Sequence, residues 1–306
     1  MLKGKVLIST STFGACAQSP ARLLSKLGFM VVLNPFKRKL AKNETLTLLK
    51  DCCGIIAGTE VLDKEVLREA VKLKVISRIG VGVDNIDLVF AKNRGIRVFN
   101  TPEAVTESVA ELAVGLILDC LRGISHSDRE MKNGKWNKYM GSLLHGKTVG
   151  IVGLGRIGGR LAGILKQSFN CNVVYYDKYK NNKKFKKLHL DKLFSVSDII
   201  SFNSSSTDLI LDSNSIKKLK KGVIIINTSR SNLIDEDAIA KALKDGTVSF
   251  AAFDVFSKEP YNGELRYLPN VILTPHIGSY AREARAEMEK QAVENLLKGF
   301  QKAGLL

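Results

Sequence analysis

Residues 148–177 read TVGIVGLGRIGGRLAGILKQSFNCNVVYYD, and this stretch restricts the fold more than any other. An unbroken apolar strand runs into Gly153, Gly155 and Gly158. A helix follows, whose Ile157, Leu161, Ile164 and Leu165 recur at helical spacing. Each glycine sits where a side chain would obstruct. The first permits the tight strand-to-helix turn, the second lets backbone approach a pyrophosphate, and the third lets the helix pack closely on the sheet. Phosphates then meet free N–H groups and the positive end of the helix dipole. A second strand, 172–176, ends at Asp177, 19 residues past Gly158, where a carboxylate can accept hydrogen bonds from the ribose hydroxyls of an adenosine. The segment predicts a βαβ dinucleotide site.

Composition sets the frame around it. The 306 residues exceed one compact core and fit two domains of ordinary size. No apolar run reaches the roughly 18–20 residues of a membrane span; the longest, 109–121, is interrupted by Glu111 and Asp119. The N-terminus MLKGKVLIST enters a strand at once without a cleavage-type tail, so a cytoplasmic location is expected. Cys16, Cys52, Cys53, Cys120 and Cys171 form no CxxC pair and no cluster with histidine. Neither a metal site nor a disulfide framework follows; buried, reduced thiols are expected. Lys and Arg outnumber Asp and Glu by 47 to 30, a net charge of +17. Most of that excess is lysine spread along the chain. The dense run at 178–187, KYKNNKKFKK, lacks the interleaved aromatics of a base-stacking platform. Specific nucleic-acid binding is therefore not expected. Directly after Asp177, the run reads better as a cationic rim where the adenosine half of the cofactor enters.

The first hundred residues alternate apolar strands with helical patterns, as a parallel sheet covered on both faces requires. Pro102 then opens a long helical pattern with Val105, Val109, Leu112, Ala113 and Leu116 on one face. A second alternating unit starts at Thr148, and a last helix, 281–300, is long enough to return to the first unit. The expected fold is α/β, with two doubly wound parallel-sheet domains. A Rossmann NAD domain, 102–277, is inserted into a flavodoxin-like substrate domain made of 1–101 and 278–306.

Three later strand ends carry polar residues: Arg230 in NTSR, Asp254 and Glu259 in FDVFSKEP, and His276 in TPHIGS. A lone loop Arg is usually a surface residue, and a lone Glu before Pro a turn residue. At successive strand ends, where open α/β sheets bind ligands, the three together form a candidate site. Hydride transfer from a hydroxyl-bearing carbon needs a base that accepts and returns a proton near neutral pH, the role of His276. Glu259 would hold the far ring nitrogen and stabilise the imidazolium. Arg230 offers a planar fork that matches the carboxylate and adjoining oxygen of a 2-hydroxy or 2-oxo acid. Asp254 would accept the carboxamide N–H of nicotinamide.

The segments SRIGVGVDNIDL, NTPEAVTESVAELAVGLIL, GKTVGIVGLGRIG, SDIISFN, NTSR, FDVFSKEP and TPHIGS together resemble the D-isomer-specific 2-hydroxyacid dehydrogenases, in their phosphoglycerate dehydrogenase-like branch. The resemblance covers nearly the whole chain. It implies an NAD-dependent oxidoreductase moving a hydride between nicotinamide and a D-2-hydroxy or 2-oxo acid, with Arg230, Glu259 and His276 catalytic. It places Gly153, Gly155, Arg156, Ile157, Gly158, Asp177, Asn203, Thr228, Ser229, Arg230, Asp254, His276, Gly278 and Ser279 along NAD. Val81 and Gly82, with Arg230, would hold the substrate carboxylate. A homodimer is implied through the long helix within 105–121. Departures exist. Ser231 stands where the family often has Gly, and 203–207 is the polar NSSST. The Thr common after the catalytic His is absent near Tyr280, and Gly58 stands where the phosphoglycerate branch carries an Arg for the substrate phosphate. The regulatory C-terminal domain of some relatives is not among the 306 residues. A glyoxylate or hydroxypyruvate reductase would share every catalytic residue. An NAD(H)-sensing, corepressor-like binding protein is the reading from another class, and the complete Arg, Glu and His set argues for turnover.

Overall fold

The computed structural model describes residues 2–15 and 20–306, so Cys16 lies outside the described residues. The chain divides into two units, Met1–Val105 with Ser279–Leu306, and Thr106–Gly278.

The first unit begins β1 (Gly4–Ile8), α1 (Ala21–Lys26), β2 (Phe29–Leu33), α2 (Lys42–Leu49) and β3 (Cys52–Ala57). It continues α3 (Lys64–Glu69), β4 (Val75–Arg78), α4 (Leu88–Asn93) and β5 (Arg97–Phe99). All pairings are parallel, in the order β2-β1-β3-β4-β5, the flavodoxin-like winding. Strand β3 is buried at every position, as its uninterrupted apolar sequence requires. Helix α4 has no counterpart in the sequence reading. It spans six residues, too few to show a period, and is set by its cap: Asp87 accepts the N–H of Phe90 at 2.8 Å.

The second unit opens with α5 (Thr106–Arg122) and α6 (Ile124–Lys132), then β6 (Thr148–Val152), α7 (Arg156–Phe169), β7 (Asn172–Tyr176) and β8 (Lys186–Lys187). Next come α8 (Leu190–Val196), β9 (Ile199–Phe202), α9 (Ser213–Ile216), β10 (Val223–Asn227), α10 (Glu236–Lys244), β11 (Val248–Phe253) and β12 (Val271–Leu273). This sheet is parallel too, in the order β12-β11-β10-β9-β6-β7-β8. The order reverses between β6 and β9, the Rossmann arrangement, whose ligand crevice lies outside the strand ends at that point. Helix α5 starts at Thr106, four residues later than Pro102 suggested. Val105 is buried from a turn, and one apolar residue in phase with a helix does not distinguish helix from turn. Its other end is set by Gly123, at φ 61°, a left-handed conformation that glycine adopts without steric cost.

Helix α11 (Arg282–Lys302) belongs to the first unit. It lies across that sheet through Phe300, which stacks on Phe29 with ring centroids 4.7 Å apart. Gly54 makes room for the same ring: a Cβ there would come within 2.5 Å of Phe300 Cζ. Ser77 donates to the Ala292 carbonyl at 2.8 Å, fixing the middle of the helix on β4. Phe300→Ala should therefore lower stability by about 3–5 kcal/mol in urea unfolding, because the sheet beneath a fully buried ring cannot collapse into the space it leaves.

Candidate active site

The glycine turn works by close approach. Gly153 has φ 92°, and a Cβ on it would stand 2.8 Å from the backbone N of Ser204 after β9. A Cβ on Gly158 would fall 2.1 Å from the Gly153 carbonyl oxygen. These two glycines set β6, α7 and the β9 exit at contact distance. Gly155, the N-cap of α7, is different: a Cβ there meets nothing within 4 Å. The space before the first turn of α7 is thus left open where helix N–H groups and the following Arg156 and Ile157 can meet a phosphate.

Asp177 sits at the end of β7. Its Oδ2 accepts the Leu154 N–H of the glycine turn at 2.8 Å, and its Oδ1 accepts the N–H groups of Tyr179 and Lys180 at 2.9 and 2.8 Å. Burial pushes this carboxyl up, but the three N–H donors prevail and hold it below the usual range, so it is ionised at neutral pH. The lysine run after it is an ordered loop. Tyr175 accepts the Asn182 N–H at 2.7 Å, and Lys187 Nζ reaches the Lys180 carbonyl at 2.9 Å.

At the ends of β9 and β10, Asn203 Oδ1 and Thr228 Oγ1 are buried atoms with no hydrogen-bond partner. Buried polar atoms are ordinarily satisfied, so this pair at the crevice marks where a ligand's polar groups fit. With the open cradle at Gly155, they accommodate a dinucleotide. The next turn is tied by Asn227, which the sequence reading passed over: its Oδ1 accepts the Ser229 N–H at 3.1 Å and its Nδ2 donates to the Arg230 carbonyl at 2.9 Å. Arg230 also donates from its guanidinium to the Ser229 carbonyl.

The loop after β12 carries His276 at φ 54°, an uncommon conformation for a non-glycine residue that its surroundings must impose. Asp254, at the end of β11 and 1% exposed, imposes it. Its Oδ1 accepts the Thr274 hydroxyl at 2.6 Å and the Ile277 N–H at 2.8 Å; its Oδ2 accepts the Gly278 N–H at 2.8 Å. From α5, Ser108 donates to the Gly278 carbonyl at 2.6 Å. All these Asp254 partners lie within the protein, so what the structure shows of it is a positioning role. Glu259, on the loop after β11, lies with both carboxylate oxygens 3.0 Å from His276 Nδ1. With its proton on Nδ1, the ring would donate to Glu259 and leave Nε2 free of that contact.

Residues 114–278 match the model of the D-isomer specific 2-hydroxyacid dehydrogenase, NAD binding domain. The chain belongs to the D-isomer specific 2-hydroxyacid dehydrogenase family. It is 39% identical over 272 residues to the hydroxypyruvate reductase of Thermotoga maritima, covering 85% of this chain and 88% of that protein. It is 37% identical over 317 residues to the D-3-phosphoglycerate dehydrogenase of Pongo abelii, covering 99% of this chain. It spans 58% of the length of that relative. The solved structure of a Thermus thermophilus protein, TT0316, superimposes with a TM-score of 0.90 at 33% identity, covering 97% of both chains.

The dehydrogenase family's NAD-binding domain coincides with the second unit, which holds every expected site residue except Val81, Gly82 and Ser279. Ser279 begins the return to the first unit. Val81 and Gly82 lie in a half-buried turn there, after β4. Gly80, at φ 131°, opens the turn and donates to Thr101 Oγ1 at 2.8 Å, while the Val81 carbonyl accepts from Asn100 at 2.8 Å. The two crevice glycines separate packing from binding. Gly155→Ala should leave the melting temperature unchanged and weaken NADH binding at least 10-fold by fluorescence titration, whereas Gly158→Ala should lower the melting temperature itself.

Proposed function

We propose that this chain catalyses reversible hydride transfer between NAD and a small, unphosphorylated 2-hydroxy or 2-oxo acid. The observation that carries this reading is the Glu259 carboxylate bracketing His276 Nδ1 beside an Asp254-held turn. Such an arrangement serves a group that must alternate between imidazole and imidazolium. The crevice residues from Gly153 to Asp177, with Asn203 and Thr228 to Arg230, are the ones that would hold NAD, and the ionised Asp177 favours NAD over a 2′-phosphorylated cofactor. When bound, NAD supplies the hydride acceptor or donor at C4 of its nicotinamide. His276 Nε2 takes the proton of the substrate hydroxyl in oxidation and returns it to the carbonyl oxygen in reduction. Glu259 stabilises the imidazolium in between. Arg230 pairs its fork with the substrate carboxylate and 2-oxygen.

The first test mixes purified protein, NADH and a panel of 2-oxo acids while following nicotinamide absorbance. Tight NADH binding without turnover of any acid would instead favour the sensor reading. His276→Ala should lower kcat by roughly 100-fold or more. Glu259→Gln keeps the side-chain shape but removes the carboxylate beside Nδ1, so kcat should fall while NADH binding is retained. Arg230→Lys keeps a charge but loses the fork, so KM should rise and kcat fall.

The same proposal includes a homodimer and a cytoplasmic setting. The described cysteines are free and buried, in keeping with a reducing compartment. No described helix is long and apolar enough to cross a membrane. Helix α5, through which the family resemblance implied the dimer, buries Ala113, Leu116, Ile117 and Leu121 in the core of its own unit. The exposed apolar side chains follow it, at Ile124, Met131, Trp136, Met140 and Leu143. An apolar series of this extent is unfavourable in water and fits a subunit contact. Sedimentation should show a dimer for the parent and a folded monomer for the double variant Met140→Asp, Leu143→Asp.

A further inference from the structure

The site described above makes no use of the lysine run after β7. Lys178, Lys180, Lys183, Lys184, Lys186 and Lys187 are all exposed, and none of the six forms an ion pair among the described residues. No acid occurs between Asp177 and Asp191. Asp191 is already paired with Lys218 at 2.7 Å, and Asp177 is engaged by three N–H donors. Six cations therefore share one neighbouring carboxylate. Phe185, within the run, is half-buried against the core of the unit, so Tyr179 is the one exposed ring among the lysines. A surface with so little to stack on recognises negative charge, not bases.

These charges are held in a fixed place. The Asn182 side chain accepts the Lys184 N–H at 2.7 Å, the Leu188 N–H donates to the Tyr175 carbonyl at 2.8 Å, and Lys187 Nζ donates to Asn181 Oδ1 at 2.8 Å. Strand β8 pairs only with β7, at the edge of the sheet, so no further strand covers the run. Its first residues are tied to Asp177 Oδ1, and the other oxygen of that carboxylate holds the glycine turn at Leu154. The cationic face thus begins beside the ribose-side acid and the phosphate cradle. A field of this kind acts during approach: it reaches about 30 Å at 0.01 M salt and about 10 Å at 0.1 M. It raises the rate of encounter more than the affinity. Reduction removes the positive charge of the nicotinamide ring, so NADH carries one more net negative charge than NAD, and NADPH adds that of its 2′-phosphate.

We infer that the 178–187 run is an electrostatic capture surface for the cofactor, speeding association of a dinucleotide in proportion to its negative charge and so favouring entry of NADH over NAD. The inference rests on the crevice being the NAD site, and it holds whichever acid is reduced. Discrimination by Asp177 against a 2′-phosphate then lies in fast dissociation, since NADPH is drawn in at least as quickly as NADH. Stopped-flow mixing of the full chain with NAD, NADH or NADPH, followed by protein fluorescence, gives both rates over a series of salt concentrations. The fall of the association rate with salt should steepen from NAD to NADH to NADPH; equal salt dependence for the three overturns the inference. Lys183→Gln, Lys184→Gln and Lys186→Gln together remove half of the charge of the run and leave Lys180 and Lys187, which tie the loop, in place. At low salt this triple variant should associate with NADH about fivefold more slowly than the parent, with dissociation changed less than about twofold. A loss that lies in dissociation overturns the inference. A control with the same net charge neutralises three exposed lysines of the first unit, Lys26→Gln, Lys50→Gln and Lys92→Gln, and should slow association less than about twofold. Equal slowing by both triple variants assigns the effect to the charge of the whole protein and also overturns the inference. If the first triple variant does not fold, the salt series of the parent decides. NADH association that is independent of salt defeats the inference alone, whereas parent protein that binds none of the three dinucleotides defeats the NAD-site reading and the inference with it.

Discussion

The contact between the Gly158 Cα and the Gly153 carbonyl is the constraint around which the second unit is arranged. With no Cβ between them, α7 lies against the end of β6 closely enough for its first turn to face the crevice where the strand order reverses. The same closeness brings the Gly153 turn against the β9 exit and lets Asp177 reach back to the Leu154 N–H. One steric condition therefore sets the distance between the phosphate cradle, the ribose-side acid and the unpartnered atoms of Asn203 and Thr228. Any side chain at position 158 would separate these parts together.

The His276 half of the candidate site depends on a different device. His276 is held in a left-handed conformation by hydrogen bonds on both sides of it, all converging on one buried carboxylate. Asp254 directly follows β11, the strand next to the β12 edge, so the imidazole takes its orientation from the sheet. Glu259 then needs only to meet an already placed ring. A buried acid surrounded by N–H and hydroxyl donors is favourable because the donors replace the water it has lost. Asp177 follows the same rule. In both cases a carboxylate organises backbone at strand ends.

Much of this was legible in the residues. The strands of both units are uninterrupted apolar runs, a pattern that only parallel strands covered on both faces maintain, and the glycine spacing singled out the crevice. The sets at Arg230, Glu259 and His276 were visible because polar residues at successive strand ends break an otherwise apolar pattern. Less was legible where hydrogen bonding, and not apolar periodicity, decides the conformation. Helix α4 depends on one aspartate cap. The start of α5 was misplaced because Val105 is in phase with the helix while lying in a turn. Asn227 looked like the last residue of a strand, and its hold on the Arg230 turn involves partners only two and three residues away, which no period reports.

By itself, the sequence determined the fold class, the dinucleotide crevice and the candidate side chains at Arg230, Glu259 and His276, because each rests on local chemistry: spacing of apolar residues, absence of side chains, and residue type. The tertiary structure alone decided which face of each element is buried. Helix α5 buries one apolar face, and the following 124–143 stretch carries exposed apolar side chains. It also decided the partners of each carboxylate. Asp177 and Asp254 were read along the chain as ligand-side acids, without their protein partners. Asp177 takes one donor, Leu154, from the turn after β6, and Asp254 takes all of its donors from the turn after β12; in a parallel sheet such strands are joined through helices, so these partners lie 20 or more positions apart in sequence.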